Sequence, residues 1–167
     1  MVSFIPFLKR DELLSAVQPA GTACRAIPLP PVVTGQCPIP VFHSTPDIIQ
    51  LLQAIGQPLE VYDEQQLHVL WTLTGLITPY YDLLHTLGEW TVQHGVPAAT
   101  ANTYVASMFQ ALSYMAQQQA VPDFKELSRH AATPKGMNEQ AGQELRSAGI
   151  HESYSKAADR LLQRFPQ

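Results

Sequence analysis

The sequence is short of charged residues. Asp, Glu, Lys and Arg make up 14% of its 167 residues, whereas apolar residues make up 46%. A typical soluble domain has about 25% charged residues. A lone monomer of this composition has few polar groups with which to cover its surface, so we expect a large subunit interface.

Positive charge and long apolar runs are also lacking. The 10 Lys and Arg residues stand against 14 Asp and Glu, the net charge is −4, and no basic run occurs, which argues against a nucleic-acid partner. No stretch reaches the roughly 20 continuous apolar residues of a membrane helix. The N-terminal stretch MVSFIPFLKRDELL has no small-residue cleavage site of a signal peptide. We therefore expect a soluble, cytoplasmic protein with no membrane partner.

Cysteine is scarce, and histidine is scattered. Cys24 and Cys37 form no C-x-x-C motif, and no histidine cluster stands near them at ligand spacing. This usage is typical of a reduced, intracellular protein, and we expect no metal site.

Proline divides the chain into two parts. Residues 1–42 are proline-rich, and their short apolar runs predict strands at 1–7, 22–29, 32–35 and 38–42, with a helix at 10–17. Strand, helix, strand is the order of a parallel βαβ unit. Short strands of this kind make a poor sheet by themselves, so this part resembles the end of a larger domain.

The sequence becomes helical after Ser44. Apolar spacing predicts a helix from Pro46 to Ile55 that Gly56 ends, a strand at 58–62, and a long helix that Asp63 caps and that reaches His94, with a kink or break at Pro79. Further helices are predicted at 98–119, 122–131, 137–149 and 151–165. The two long helices are strongly apolar, which favours an interlocked helical dimer. We interpret Glu60, Asp63 and Glu64 as a helix cap and a solvated face.

A loop of Thr133, Pro134, Lys135 and Gly136 leads into the helix at 137. Glycine before a helix start leaves backbone N–H groups with little steric cover, and Lys135 adds a positive charge, so an anion could bind there. A simple capped helix start explains the same residues. The residues alone leave both interpretations open.

Several stretches in order resemble the C-terminal portion of the pyrroline-5-carboxylate reductase family. MVSFIPFLKRDELLSA resembles the late strand and helix of that family's dinucleotide-binding domain, and CRAIPLPP resembles its Arg-Ala-Met-Pro-Asn-x-Pro motif. AIGQPLEVYDEQQLHVLWTLTG resembles the segment that leads into its Ser-Gly-rich helix, ATPKGMNEQ stands where the family has Ser-Pro-Gly-Gly-Thr-Thr, and LRSAGIHESYSKAADRLLQR resembles the closing helix pair.

The resemblance implies a fold and a division of the chain. The fold it implies is mainly α: an all-helical dimerisation domain at 45–167, which also binds substrate, preceded at 1–44 by a few short strands left from a Rossmann-like α/β domain. The family's activity is hydride transfer from NAD(P)H to a cyclic imine, which gives proline. The implied partners are a second copy of the chain, bound through the long apolar helices and possibly extended to a higher oligomer, and a small carboxylate substrate.

The resemblance also implies site residues. Gly136, Met137 and Asn138, with Thr133 in the same loop, would hold the substrate carboxylate through backbone N–H groups. Thr74 and Gly75 match the Ser-Gly at the head of the substrate-facing helix. The family's Arg-Ala-Met-Pro loop lies against the nicotinamide, and the matching positions are Arg25, Ala26 and Pro28. No catalytic residue is assigned.

Departures from the family pattern limit what carries over. Lys135 replaces the first glycine, Met137 and Asn138 replace the two threonines, and Leu76 and Ile77 replace small residues. No G-x-G-x-x-G occurs, so we expect NADP or NAD to bind a full-length enzyme and this chain alone to bind neither. The chain is then either the substrate-binding and dimerisation part of a reductase or a non-catalytic helical oligomerisation module derived from that family. An unrelated all-α binding protein is a third alternative, which requires the motif order to be chance.

Overall fold

The computed structural model describes residues 1–5 and 7–165. The chain forms two compact units. We call residues 1–76 together with 157–167 the sheet unit, and residues 77–156 the helical unit. The chain is mainly α-helical, and the strands found among the described residues all lie in the first part of the sequence.

The sheet unit contains a four-stranded sheet in the order β1-β2-β3-β4. Strands β1 (Val2–Ser3) and β2 (Cys24–Ala26) are parallel, β2 and β3 (Pro38–Phe42) are antiparallel, and β3 and β4 (Gln57–Val61) are parallel. The predicted βαβ unit is confirmed, because α1 (Arg10–Ala16) connects β1 to β2. The other helices are α2 (Pro46–Gln53) and α3 (Glu64–Thr72).

The core of the sheet unit lies between the sheet and α2. Its fully buried members are Cys24 and Ala26 on β2, Ile39 and Val41 on β3, and Leu52 on α2; the four strand residues are alternate positions, as side chains on one face of a sheet are. Gly56 permits a close approach at the entry to β4. A Cβ there would overlap the carbonyl oxygen of Cys37 and contact the Ile39 side chain.

Two predictions in this region are wrong. Residues 32–35 are not a strand, because Pro30–Thr34 form a 3₁₀ turn in which two prolines set the first φ angles and Gly35 closes at φ 70°. The break in the long helix lies upstream of Pro79, in the 3₁₀ turn Leu73–Leu76. Pro79 then falls in the first turn of the next helix, where a missing N–H costs no intrahelical hydrogen bond.

The helical unit consists of α4 (Ile77–Gln93), α5 (Ala98–Gln117), α6 (Phe124–Ala131), α7 (Met137–Ser147) and the first half of α8 (Ile150–Leu162). Helices α4 and α5 pack against each other. Across residues 77–156, all of which the structure describes, the buried residues are Gly88, Ala101, Val105 and Ala116. This unit therefore encloses very little core of its own.

Local capping follows the sequence signals closely. The Asp63 side chain accepts a hydrogen bond of 2.7 Å from the Gln66 N–H and so caps α3 as predicted. Thr45 is the N-cap of α2, with Pro46 after it, although its hydroxyl makes no capping bond. Gly149 adopts φ 71°, which fits the predicted helix stop before α8.

The two compact units do not coincide with the predicted division between residues 44 and 45. Strand β4 lies beyond residue 44 and pairs with β3 along its whole length. The residues from 45 to 76 therefore pack with the strands that precede them. A domain boundary at residue 44 stays a prediction.

Candidate functional site

The predicted site residues fall into two sets. Arg25, Ala26, Pro28, Thr74 and Gly75 lie in the sheet unit, and the predicted set of the helical unit comprises Thr133, Gly136, Met137 and Asn138.

Arg25 is the buried cation of the sheet unit. It lies on β2 with only 1% of its surface exposed. Its Nη1 donates to Glu64 Oε1 at 2.7 Å and lies 3.5 Å from His68 Nε2. The same Glu64 oxygen accepts the backbone N–H of Arg10 at 2.7 Å. Glu64 thus ties β2 and the start of α1 to the first turn of α3.

His68 continues this network into a group of aromatic rings. Burial most of all, and next the nearby Arg25 guanidinium, lower the pKa of His68 below its ordinary value of 6.5, whereas Glu64 raises it by more than Lys9 lowers it. Its ring stacks on Phe165 with centroids 4.8 Å apart and planes 12° apart. The neutral imidazole therefore links Arg25 to the ring of Phe165.

Thr74 and Gly75 line a small cavity, which we call the aromatic pocket. Its volume is about 150 Å³, and its lining consists of Phe7, Trp71, Thr72, Thr74, Gly75, Leu161, Arg164 and Phe165. A Cβ on Gly75 would lie 2.5 Å from the Leu161 Cδ1, so glycine lets α8 approach the 3₁₀ turn. Within the sheet unit, the structure therefore joins Thr74 and Gly75 to Arg25 through His68 and Phe165.

The predicted cofactor residues have few hydrogen-bond donors available to a dinucleotide phosphate. The Arg25 guanidinium faces Glu64 and His68, Ala26 is 1% exposed, and the Ile27 N–H donates to the Pro40 carbonyl at 3.0 Å. Pro28 has no N–H. These residues do not fit a phosphate-binding role, and the proposed contact with nicotinamide stays a prediction.

The loop before α7 has an unusual backbone. Lys135 adopts φ 59°, in the left-handed region where a residue with a side chain is strained by about 1–3 kcal/mol. Position 136 favours glycine for a different reason, because a Cβ there would lie only 2.9 Å from the Thr133 carbonyl oxygen. The backbone at 135 thus suits the glycine that the resembling family has there.

Part of the predicted anion site is already satisfied within the chain. The Gly136 N–H donates to the Thr133 carbonyl at 2.8 Å, and Glu139 Oε2 accepts the Lys135 N–H at 2.7 Å. The Asn138 side-chain amide donates to the Ala131 carbonyl at 3.0 Å. The N–H groups of Met137 and Asn138 lie in the first helical turn, where the helix itself provides no acceptor. A carboxylate held by these two groups stays a prediction.

The sequence interpretation missed Glu64 and the aromatic rings. Placing Glu64 on a solvated face is wrong, since its side chain is 25% exposed and pairs with Arg25. Phe7, Trp71 and Phe165 are far apart in sequence, yet their ring centroids lie 4.8–5.7 Å from one another. The spacing of apolar residues within one element could not indicate this cluster.

The described residues, 1–5 and 7–165, contain neither a metal-binding cluster nor a membrane-spanning helix. No group of three or more His, Cys, Asp and Glu side chains there could hold a metal ion. None of the helices in that range combines the length and hydropathy needed to cross a bilayer.

The family model described as pyrroline-5-carboxylate reductase dimerisation matches residues 64–167, which is more than half of the chain. A search of curated proteins finds no match. Three solved structures show the same fold over 98% of this chain.

The first structure is a pyrroline-5-carboxylate reductase from Coxiella burnetii, with 22% identity and a TM-score of 0.84. The second is a Plasmodium falciparum pyrroline carboxylate reductase with NADP bound, with 13% identity and a TM-score of 0.81. The third is a 1-pyrroline-5-carboxylate reductase from Streptococcus pyogenes, with 16% identity and a TM-score of 0.82. The chain spans 63%, 68% and 65% of those three chains respectively. By the match to its helical part, the chain belongs to the pyrroline-5-carboxylate reductase dimerisation domain family.

Proposed function

We propose that this chain is the dimerisation and substrate-binding part of a cytoplasmic NAD(P)H-dependent reductase that acts on a small carboxylate-bearing imine. In the proposal α4 and α5 form the homodimer interface, and the start of α7 holds the substrate carboxylate. NADP or NAD belongs to the whole enzyme, and no residue of this chain is assigned to its phosphates. The free thiols of Cys24 and Cys37 fit a reducing compartment.

The exposed apolar surface of the helical unit carries this proposal. Large apolar side chains on α4 and α5 stand between 38% and 66% exposed, namely Tyr80, Tyr81, Leu83, Trp90, Tyr104, Leu112, Tyr114 and Met115. Monomeric soluble proteins rarely leave large apolar patches in water. Burial against a second copy would remove this surface from water, and it would account for the shortage of charged residues.

The first turn of α7 supports the substrate assignment. The N–H groups of Met137 and Asn138 and the positive end of the helix dipole favour an anion, and Lys135 stands beside them in an exposed loop. A carboxylate is the anion that the family's cyclic imine carries, so the proposal assigns these groups to it.

A specific observation favours the alternative of a non-catalytic oligomerisation module. Glu139 already brings a carboxylate to the start of α7 and accepts the Lys135 N–H, while the Gly136 N–H is bonded to Thr133. In that alternative the loop is only a folding element, and the dimer interface is the function.

The dimer is tested by light scattering of the purified chain after gel filtration. The wild-type chain should have the mass of a dimer, and Leu112→Glu should shift it to monomer because a charge would be buried in the interface. Tyr62→Glu is the control, because Tyr62 is 91% exposed and lies in the sheet unit. A monomeric wild-type chain at micromolar concentration contradicts the proposal.

The substrate loop is tested by calorimetry with L-proline as the probe. Lys135→Glu should weaken proline binding several-fold, because it places a negative charge beside the helix start. Lys125→Glu, a charge reversal on exposed α6, is the matched control and should not change binding. Binding that is equal in both variants, or absent from the wild-type dimer, favours the oligomerisation module.

A further inference from the structure

We propose that the aromatic pocket binds a small planar aromatic carboxylate, with the ring among Phe7, Trp71 and Phe165 and the carboxylate at Arg164. The inference goes beyond the proposed function, because the sheet unit alone would supply the site and hydride transfer is not required. Benzoate is the simplest ligand of this class.

The size of the cavity selects a single ring. Its volume of about 150 Å³ matches that of an apolar cavity that holds one benzene molecule. A nucleotide or a peptide segment is too large for such a volume. A small ring with one substituent at the opening is the largest ligand that would fit.

The walls select an aromatic ring over an aliphatic one. The centroid distances are 5.1 Å for Phe7–Trp71, 4.8 Å for Trp71–Phe165 and 5.7 Å for Phe7–Phe165. These separations are those of offset or tilted aromatic pairs, and a further planar ring can continue the same packing. Phe7 is 58% exposed, so an incoming ring would also cover apolar surface that now faces water.

Arg164 favours a ligand with a negative charge. Arg164 lines the pocket, and in the described part of the chain no carboxylate lies within salt-bridge distance of its guanidinium. A guanidinium binds a carboxylate with two parallel hydrogen bonds. The Thr74 side chain also lines the pocket and offers a hydroxyl. An uncharged aromatic would leave this cation without a counter-charge.

The pocket has a rigid support on one side. Phe165 stacks on His68, and His68 lies against the Arg25–Glu64 ion pair. On the other side Leu161 contacts the surface at Gly75. A ring that binds there would therefore meet walls that are already placed, which lowers the entropic cost of binding.

The test titrates benzoate into the full 167-residue chain and follows saturation-transfer NMR of the ligand. A second readout is the fluorescence of Trp71 in a Trp90→Phe background, which leaves Trp71 as the one tryptophan. Saturable benzoate binding with a change in Trp71 emission is expected. Acetate, which lacks the ring, and benzyl alcohol, which lacks the charge, should each bind more weakly than benzoate.

Variants separate the two parts of the site. Arg164→Gln should weaken benzoate binding about tenfold and leave benzyl alcohol unchanged. Arg160→Gln, on the same helix but outside the pocket lining, is the matched control and should leave both unchanged. Circular dichroism spectra that superimpose on the wild type exclude a folding defect in either variant.

The outcomes distinguish this inference from the proposed function. No saturable benzoate binding by a chain that forms the dimer and binds proline overturns the pocket ligand alone. If Arg164→Gln and Arg160→Gln lose benzoate binding equally, the role of Arg164 is overturned, and with it the proposed site. Benzoate binding by a monomeric chain supports the pocket and counts only against the proposed dimer.

Discussion

Replacing Glu64 by Ala should destabilise the sheet unit more than any exposed charge change would. The Glu64 carboxylate is 2.7 Å from the Arg25 guanidinium, which is 1% exposed, and it also accepts the Arg10 N–H. Removing one member of a buried ion pair leaves the other charge inside without that counter-charge, which costs about 3–5 kcal/mol.

The structure sets the expected value at the lower end of that range. The Glu64 side chain is 25% exposed, so water can enter the space that Ala leaves and solvate part of the Arg25 charge. The lost acceptor for the Arg10 N–H adds about 1 kcal/mol. We expect a total loss of about 4 kcal/mol for Glu64→Ala, and about 1–2 kcal/mol for Glu64→Gln, which keeps an acceptor oxygen.

The assay is urea unfolding, with Trp71 fluorescence in the Trp90→Phe background as a probe that lies within the sheet unit. Asp11→Ala is the control, because the Asp11 side chain is 93% exposed and its pair with Arg10 should contribute little. The double change Arg25→Met, Glu64→Met removes both charges and should recover much of the loss. A loss below about 1 kcal/mol in Glu64→Ala would refute the view that this ion pair holds β2 to α3.

Three further predictions concern the same unit. Gly56→Ala should cost about 1–3 kcal/mol in urea unfolding because its Cβ would overlap the Cys37 carbonyl, whereas Gly21→Ala, where nothing lies within 4 Å, should be neutral or slightly stabilising. The pKa of His68 is lower in the folded chain than in the unfolded chain, so the unfolded chain takes up a proton at this histidine at a higher pH. Stability should therefore fall as the pH drops below 6.5. The fall between pH 8 and pH 5.5, measured by unfolding, should be smaller in His68→Gln. Burial raises the pKa of Cys24 to about 11, so this thiol should resist iodoacetamide at pH 8 in the native chain and react after denaturation, as counted by mass spectrometry.

Local sequence signals predicted most of the elements and few of their contacts. The Asp63 cap, the stop at Gly149 and the parallel βαβ unit depend on residues near one another in sequence, and the structure contains all three. The 3₁₀ turns at Pro30–Thr34 and Leu73–Leu76 were not predicted, because a short apolar run continues through the first and helical spacing continues through the second. Only the geometry of each turn separates them from strand or helix.

The candidate site shows the same division. The resemblance implied roles for Thr74, Gly75 and the loop before α7, which stay predictions, and it could not indicate that Phe7 and Phe165 meet at Trp71. That contact depends on tertiary packing of segments from the two ends of the chain. Glu64 was misinterpreted for a similar reason, since its partner Arg25 lies 39 residues earlier.

Lys135 combines a left-handed backbone conformation with a positive charge beside the start of α7. Its φ of 59° is a conformation that glycine adopts without cost, and the resembling family has glycine at that position. A backbone that keeps this angle under a lysine bears strain, and strain of that kind persists where the surrounding structure requires it. In this conformation the Lys135 N–H donates to Glu139 Oε2 at 2.7 Å, which links the loop to the first turn of α7. Under the proposed function, the lysine places a positive charge beside the α7 N–H groups, where it would favour the substrate carboxylate.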